Sequence, residues 1–390
     1  MKFLIKGFYG RSNLGDDLIL ARFFEWATIS NHSLIFAAEN TNASLIELLS
    51  CYTNDPSSFI KDDLFSAIKT LPNVDAVILG AGGLFPNGNV RTLLTKLLLL
   101  CCAKLLGKRV VMVGIGVNIT HSMWAKISWR IFYKLCDFIS TRDKRSKKNI
   151  IYVMGLNDPE KKIHECADVV FSLNFTPILQ KQEELSPKKE HPTCLYALAN
   201  PWSEQERQQS PDRYNKLLDD ITKSIQSVIA QGYKPVLAPF YLPDDYKLAT
   251  EIADRFESNS INVISETSAI NRTSLFNECD IVITMRFHGL VLATCFAKPV
   301  SVIAYDHKLE VLTEALDIKD LSVRFGIRES EFFLTVQDID IDALLKNQSF
   351  IYSNIEILKK QLLEKAIALK SSSNLNFGLL DKAFSSSVQK

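Results

Sequence analysis

Short runs rich in β-branched and aromatic residues alternate, along most of the chain, with longer stretches whose apolar positions recur every three or four residues. In the first half the short runs fall at Lys2–Phe8, Ser33–Ala38, Ala76–Leu79, Arg109–Val113, Phe138–Thr141 and Asp168–Ser172. Helical periodicity fills the gaps, including Asp17–Ser30, Arg91–Leu106 and His121–Cys136. Strands that alternate with helices predict a parallel sheet covered on both faces. The polar stretch Asn174–Thr193, with three prolines, interrupts the pattern and predicts a linker, centred on 181–192. The alternation then restarts, with strands predicted at Cys194–Leu198, Pro235–Phe240, Asn262–Ser265, Ile281–Thr284 and Val300–Ala304. Helices are predicted at Asp212–Ala230, Asp244–Phe256, Ala269–Glu278 and Gly289–Phe296. A last amphipathic helix, Asn354–Leu369, precedes a Ser-rich tail expected to be mobile.

The pattern predicts an α/β fold of two doubly wound, Rossmann-like domains facing a cleft, the GT-B-like arrangement. The expected boundaries are 1–180, the linker 181–192, 193–345, and a C-terminal helix with tail over 346–390. In such sheets ligands sit off the carboxyl ends of the strands, so candidate chemistry is sought there.

Composition adjusts this picture only slightly. The 390 residues, 47% hydrophobic, are too many for one ordinary core and suit two domains. Lys and Arg number 45 against 44 Asp and Glu, a balance with no broad field for nucleic acid. The eight cysteines show no metal-ligand spacing and read as reduced, mostly buried hydrophobes. The first apolar run is too short and interrupted for a signal peptide. The most apolar segment, Leu93–Gly107, is broken by Lys96 and Lys104 and falls short of a membrane span. It reads as a buried helix, with a membrane-surface helix as the alternative. The expectation is a soluble, cytoplasmic protein, with peripheral contact at the inner face of the membrane left open.

Six stretches place reactive residues at predicted strand ends. In GFYGRSNLGDD, Asn13, Gly15, Asp16 and Asp17 follow the first strand, where glycines permit close backbone approach and a helix start offers N–H groups to an anion. Asp16 fits either a functional carboxylate or a helix N-cap. LGAGGLFPNGN puts Gly82 and Gly83 in a second loop at the same edge, and VGIGVN a third. FISTRD delivers Arg142 to a strand end, with the basic run after it read as a solvated helix face. AYDHK adds Asp306, His307 and Lys308, of which Lys308 is the candidate cation. His32, His121, His164 and His191 have no partner pattern and read as structural.

The stretch ITMRFHGLVLATC is the most informative. A strand of uniformly apolar residues gives way to Arg286 and His288 before an uncharged helix that opens with Gly289. Residues two apart in an extended backbone share a side, so the pair is expected to face one ligand. Arg offers a planar fork to phosphate or carboxylate, and His moves a proton near neutral pH.

In this order the pieces resemble the polysaccharide pyruvyl transferase family. Its pattern is similar to GFYGRSNLGDDLIL, GAGGLF, GIGV and STRDKRSKKNI, and above all to the R-x-H-[AG] signature at Arg286–Gly289. The similarity runs from about Lys2 to about Leu316. One departure is CLYALANPW, where members often carry an arginine and this chain has none. The resemblance implies transfer of a pyruvyl group from phosphoenolpyruvate to a sugar hydroxyl pair of a surface polysaccharide, or of its lipid-linked precursor, forming a cyclic ketal. On that reading His288 is the general acid and Asp16 the base. Arg286, Arg142, Gly289 and Lys308 bind the donor, and Asn13, Gly15, Asp17, Gly82 and Gly83 line the acceptor side. No metal and no cofactor beyond the donor are expected. Two other readings compete: a GT-B glycosyltransferase using a nucleotide sugar, and a non-catalytic glycan-binding relative.

Overall fold

The computed structural model describes residues 1–83, 90–119, 122–155, 158, 161–183, 191–202, 204–242, 244–257, 260–265, 268–326 and 338–385. The chain divides into two compact units. Unit 1 comprises Met1–Arg11, Asp16–Pro177 and Ala368–Lys390, and unit 2 comprises Ser12–Gly15 and Ile178–Ile367.

Unit 1 is built on β1 (Lys2–Tyr9), β2 (Ser33–Ala38), β3 (Phe59–Lys61), β4 (Ala76–Leu79), β5 (Arg109–Ile115), β6 (Phe138–Thr141) and β7 (Ile163–Glu165). They form one sheet in the order β3-β2-β1-β4-β5-β6-β7, every adjacent pair parallel. The helices Val90–Leu105, Met123–Leu135 and Lys144–Met154 share an apolar core with Leu4, Val77, Val110, Met112 and Ile139. Strands buried on both faces carry continuous apolar runs, which is why β4 reads Ala-Val-Ile-Leu with no polar position.

Unit 2 repeats the plan with β8 (Thr193–Ala197), β9 (Lys234–Leu237), β10 (Asn262–Val263), β11 (Ile281–Thr284), β12 (Val300–Ala304) and β13 (Ser322–Arg324), ordered β10-β9-β8-β11-β12-β13 and all parallel. In both sheets the order reverses beside the first strand, between β1 and β4 and between β8 and β11. That reversal opens the crevice where doubly wound sheets hold ligands.

Three expectations change. Asp168–Ser172 is no strand: Val169–Ser172 form a 3₁₀ turn, with the Asp168 carboxylate accepting from the Val170 N–H (3.0 Å). Its apolar residues are buried because Ser373 and Asn376 donate to the Val169 and Ala167 carbonyls from the C-terminal helix. The Ser-rich tail is not mobile through residue 385. It continues a helix spanning Ile355–Ser385, and Phe377, Leu380 and Phe384 are buried in unit 1. Burying such a side chain contributes about 1.5–3 kcal/mol, and Ser373 and Asn376, just before them, satisfy buried carbonyls instead of facing water. The predicted linker begins as the helix Thr176–Glu183. His121, residues 84–89, 184–190 and 386–390 lie outside the described residues.

Candidate active site

In unit 2 the site grows from the end of β11. Thr284 closes the strand, and its hydroxyl accepts from the Arg286 N–H (3.0 Å). Arg286 is extended (φ −92°, ψ 132°) and caps a helix that runs Phe287–Cys295. The helix thus begins two positions before the predicted Gly289, and His288 is its second residue. The pair does not share a face by strand alternation. Gly289 is required sterically: a Cβ there would overlap the Thr284 hydroxyl and crowd Ala197 of β8.

The Arg286 side chain is held by an acid that sequence reasoning did not single out. Its Nε donates to Asp245 Oδ2 (2.9 Å), and Nη2 forms an ion pair with Oδ1. Asp245 has no exposed side-chain surface and also accepts the backbone N–H groups of Phe240 (3.1 Å) and Tyr241 (2.8 Å). Burial alone would lower the Arg286 pKa. The Asp245 charge, with Tyr305 and Asp244, more than offsets it and raises the pKa well above the ordinary value. Arg286 is thus not a loose cation. Two of its nitrogens tie β11 to the turn after β9, and no partner of Nη1 is among the described residues. A second buried arginine, Arg272, supports the same turn by donating to the Pro239 (3.2 Å) and Phe240 (3.3 Å) carbonyls.

Residues Ser12–Gly15 complete this edge. Asn13 pairs with Tyr241 as an antiparallel bridge, Leu14 N–H donates to the Phe240 carbonyl (3.0 Å), and Leu242 N–H donates to the Ser12 carbonyl (3.3 Å). A Cβ on Gly15 would overlap the Nδ1 edge of His288, so the imidazole occupies the space that a side chain at position 15 would need. On its other side the ring stands edge-to-face with Phe287 (5.2 Å). Lys308, after β12, pairs with Asp306 (3.2 Å) and lies over the Tyr305 ring, while His307 bonds Glu310 (2.8 Å). Off the end of β8, Asn200, Trp202, Glu206 and Asp244 line an open polar hollow.

In unit 1 the corresponding edge gathers Asp16, Asp17, Gly82, Gly83 and Arg142. The first helix begins at Leu14 and Asn13 Oδ1 accepts from Gly15 N–H (3.2 Å), so Asp16 is in the first turn and is not the N-cap. A Cβ on Gly82 (φ +102°) would lie 3.2 Å from Asp16 Oδ1, whereas a Cβ on Gly83 would meet nothing within 4 Å among the described residues. Beside Asp16 stands Tyr9, fully buried, whose ring fills the room left by Gly7 and Gly80. Burial first, then the Asp16 charge, pushes its hydroxyl well above the usual phenol range. Arg142 is largely buried, lies over Gly116 and pairs with Asp143 (3.4 Å), which in turn caps the 144–154 helix. Tyr9 escaped sequence reasoning because a tyrosine inside an apolar strand reads as core. Asp245 had one signal, the acidic pair opening a helix just after a strand.

Asp16, Asp17 and Gly82 thus stand at the β1/β4 reversal of unit 1 and the R-x-H pair at the β8/β11 reversal of unit 2, whereas Arg142 and Lys308 lie off β6 and β12. A model of the family described as polysaccharide pyruvyl transferase matches residues 13–307. The chain belongs to that family. Membership places it among transferases that act in polysaccharide modification. The match reaches from Asn13 to His307 and stops one residue short of Lys308. No curated protein matches the sequence. Among solved structures, the chain is similar to a UDP-GlcNAc 2-epimerase from Neisseria meningitidis bound to UDP-GlcNAc (13% identity, 98% of this chain and 100% of that one, TM-score 0.64). It is also similar to a glycosyltransferase from Rickettsia africae (12%, 100% and 99%, TM-score 0.59). A third is Anabaena HepE in complex with UDP and glucose (11%, 99% and 100%, TM-score 0.53). At such identity these neighbours show the fold alone, which is GT-B-like with two parallel-sheet α/β domains.

Proposed function

We propose that this chain transfers the pyruvyl group of phosphoenolpyruvate to two hydroxyls of one sugar in a surface polysaccharide or its lipid-linked precursor. The observation that carries the reading is the pair at the β8/β11 reversal point, where the His288 imidazole and the Arg286 guanidinium open one helix. Phosphoenolpyruvate bears a phosphate and a carboxylate. The donor meets Arg286 Nη1, the N–H groups at the start of the 287–295 helix and Lys308, each suited to an anionic oxygen.

His288 protonates C3 of the donor, so C3 becomes a methyl group and C2 acquires cation character. A sugar hydroxyl adds to C2. The C2–O bond to phosphate then breaks, phosphate leaves with that oxygen, and a second hydroxyl closes the ketal. Of the two hydroxyl protons released, one restores His288 and the other leaves with phosphate. Asp245 does not react. It positions Arg286. On the carboxyl edge of unit 1, Asp16 and Asp17 supply carboxylates for acceptor hydroxyls, Asp16 as base, and Arg142 adds a cation to that edge.

The test is phosphate release from phosphoenolpyruvate with candidate glycans, together with the methyl singlet of the ketal by proton NMR. Both signals from the wild type and neither from His288→Asn supports the reading. A folded wild type that yields no ketal with any acceptor counts against it. A second reading, a nucleotide-sugar donor, is favoured by the hollow at Asn200, Trp202, Glu206 and Asp244, where a carboxylate and an indole suit a ribose and a base. Thermal stabilisation by UDP-sugars but not by phosphoenolpyruvate would select it. Arg286 and His288 variants that retain wild-type biological function would instead select a glycan-binding role.

A further inference from the structure

The 90–105 helix is apolar on two faces, with Leu93, Leu97, Leu99, Leu100 and Ala103 buried in the core of unit 1. Its central charge, Lys96, is buried at 9% exposure, while Leu94, Leu98 and Leu105 stand 49% to 87% exposed on the outer face. The next helix, 123–135, adds Met123, Trp124 and Ile127, all more than 40% exposed. An ordinary surface helix turns such residues inward, and a contiguous exposed apolar face marks an interaction surface.

Charge identifies the partner. The helices 90–105, 123–135 and 144–154 pack side by side and carry three, three and four Lys or Arg, with no Asp or Glu among them. The whole chain, by contrast, is nearly neutral. A layer that combines exposed Leu, Trp and Ile with a basic excess, even with Lys96 buried and Lys104 paired with Asp137 (3.1 Å), matches the headgroup region of an anionic bilayer. A second copy fits poorly, because a two-fold contact would set this basic layer against itself. Among the described residues no helix is long and apolar enough to cross a membrane, so the fit is to the interface and not the interior.

We infer that this helix layer of unit 1 docks on the surface of an anionic lipid bilayer, Leu94, Leu98, Trp124 and Ile127 entering the headgroup boundary. The inference does not depend on the donor, so it stands or falls separately from the proposed reaction.

Flotation of the full chain with vesicles of phosphatidylcholine alone, and of phosphatidylcholine mixed with phosphatidylglycerol, tests it. Flotation is expected with the mixed vesicles and to weaken with salt. Trp124→Ser/Ile127→Ser should abolish it while leaving the circular dichroism spectrum and melting temperature unchanged. Lys134→Gln and Lys148→Gln should each lower partitioning about fivefold. Leu375→Ser, on an exposed position of the C-terminal helix, should change nothing. The Trp fluorescence of the wild type should shift to the blue on vesicle addition, and Trp124→Phe should remove the shift. The inference is overturned if the wild type fails to float with anionic vesicles or the Trp124/Ile127 variant floats as well as the wild type. A dimer in sedimentation that these substitutions dissociate, without any lipid binding, would assign the face to a second copy.

Discussion

The imidazole of His288 fills the space that a side chain on Gly15 would occupy. One ring and one absent Cβ thus fix each other, although 273 positions of sequence separate them. Gly15→Ala is expected to swing the half-buried ring aside and not to unfold the protein. Phosphate release should fall by roughly a hundredfold or more, with the thermal midpoint nearly unchanged. An alanine variant of full activity would remove His288 from the reaction or show that its position is immaterial.

The Arg286–Asp245 pair should be among the most costly in unit 2 to break from one side. Asp245→Asn leaves a guanidinium buried without its counter-charge and is expected to lose about 3–5 kcal/mol in urea unfolding. Arg286→Gln should lose a similar amount for the converse reason. The double variant should fall well short of the sum, and a double-mutant cycle measures that shortfall. Additive losses would mean that the two side chains do not depend on each other.

His288→Asn tests the proton donor itself. The expected loss in kcat is about 10²–10⁴, with KM for phosphoenolpyruvate changing little. A variant that loses donor affinity and keeps kcat would make His288 a binding residue.

Lys96 carries a pH prediction. Burial, then the neighbouring Lys6 charge, lowers its pKa to about 8, with Asp62 pulling the other way. The unfolded chain holds this proton to about pH 10.5, so between pH 8 and that value the unfolded state binds more protons and stability from this group rises with pH. Below pH 8 both states are charged and the full burial cost is present. Lys96→Met should therefore stabilise the protein at pH 7 by up to about 3 kcal/mol, the advantage shrinking as pH rises towards 10.5. Unfolding of both proteins across that range checks the sign, and a gain that grows with pH would refute it.

Ile281–Thr284, Ser33–Ala38, Ala76–Leu79, Phe138–Thr141 and Val300–Ala304 were legible to the residue, since a strand buried on both faces is an unbroken apolar run. The edge strands β3, β7 and β13 were not, being three residues each and partly exposed. Asp168–Ser172 misled because its apolar residues are buried beneath a helix some two hundred positions later. Arg286 and His288 stood out as polar residues between two apolar elements. Asp245 and Tyr9 did not, because their meaning is made by tertiary approach: Asp245 through a turn 41 positions from Arg286, Tyr9 through the first turn of the helix after it. Leu93–Gly107 was legible as a buried helix, but not which of its leucines would stay exposed or that Lys96 would be buried with the others.

Phe377 buries its ring against Phe23 (5.6 Å) and under the Arg22 guanidinium (3.7 Å), both near the start of the chain. Polypeptide leaves the ribosome from its amino end, so the first 177 residues are released with that part of their core still open. It closes only when residues 368–385 are added, and Ser12–Gly15 must likewise wait for Phe240, Tyr241 and Leu242. Unit 1 is therefore completed only after unit 2, whose residues all precede position 368, and loss of the 368–385 segment would leave unit 1 open while unit 2 keeps every residue.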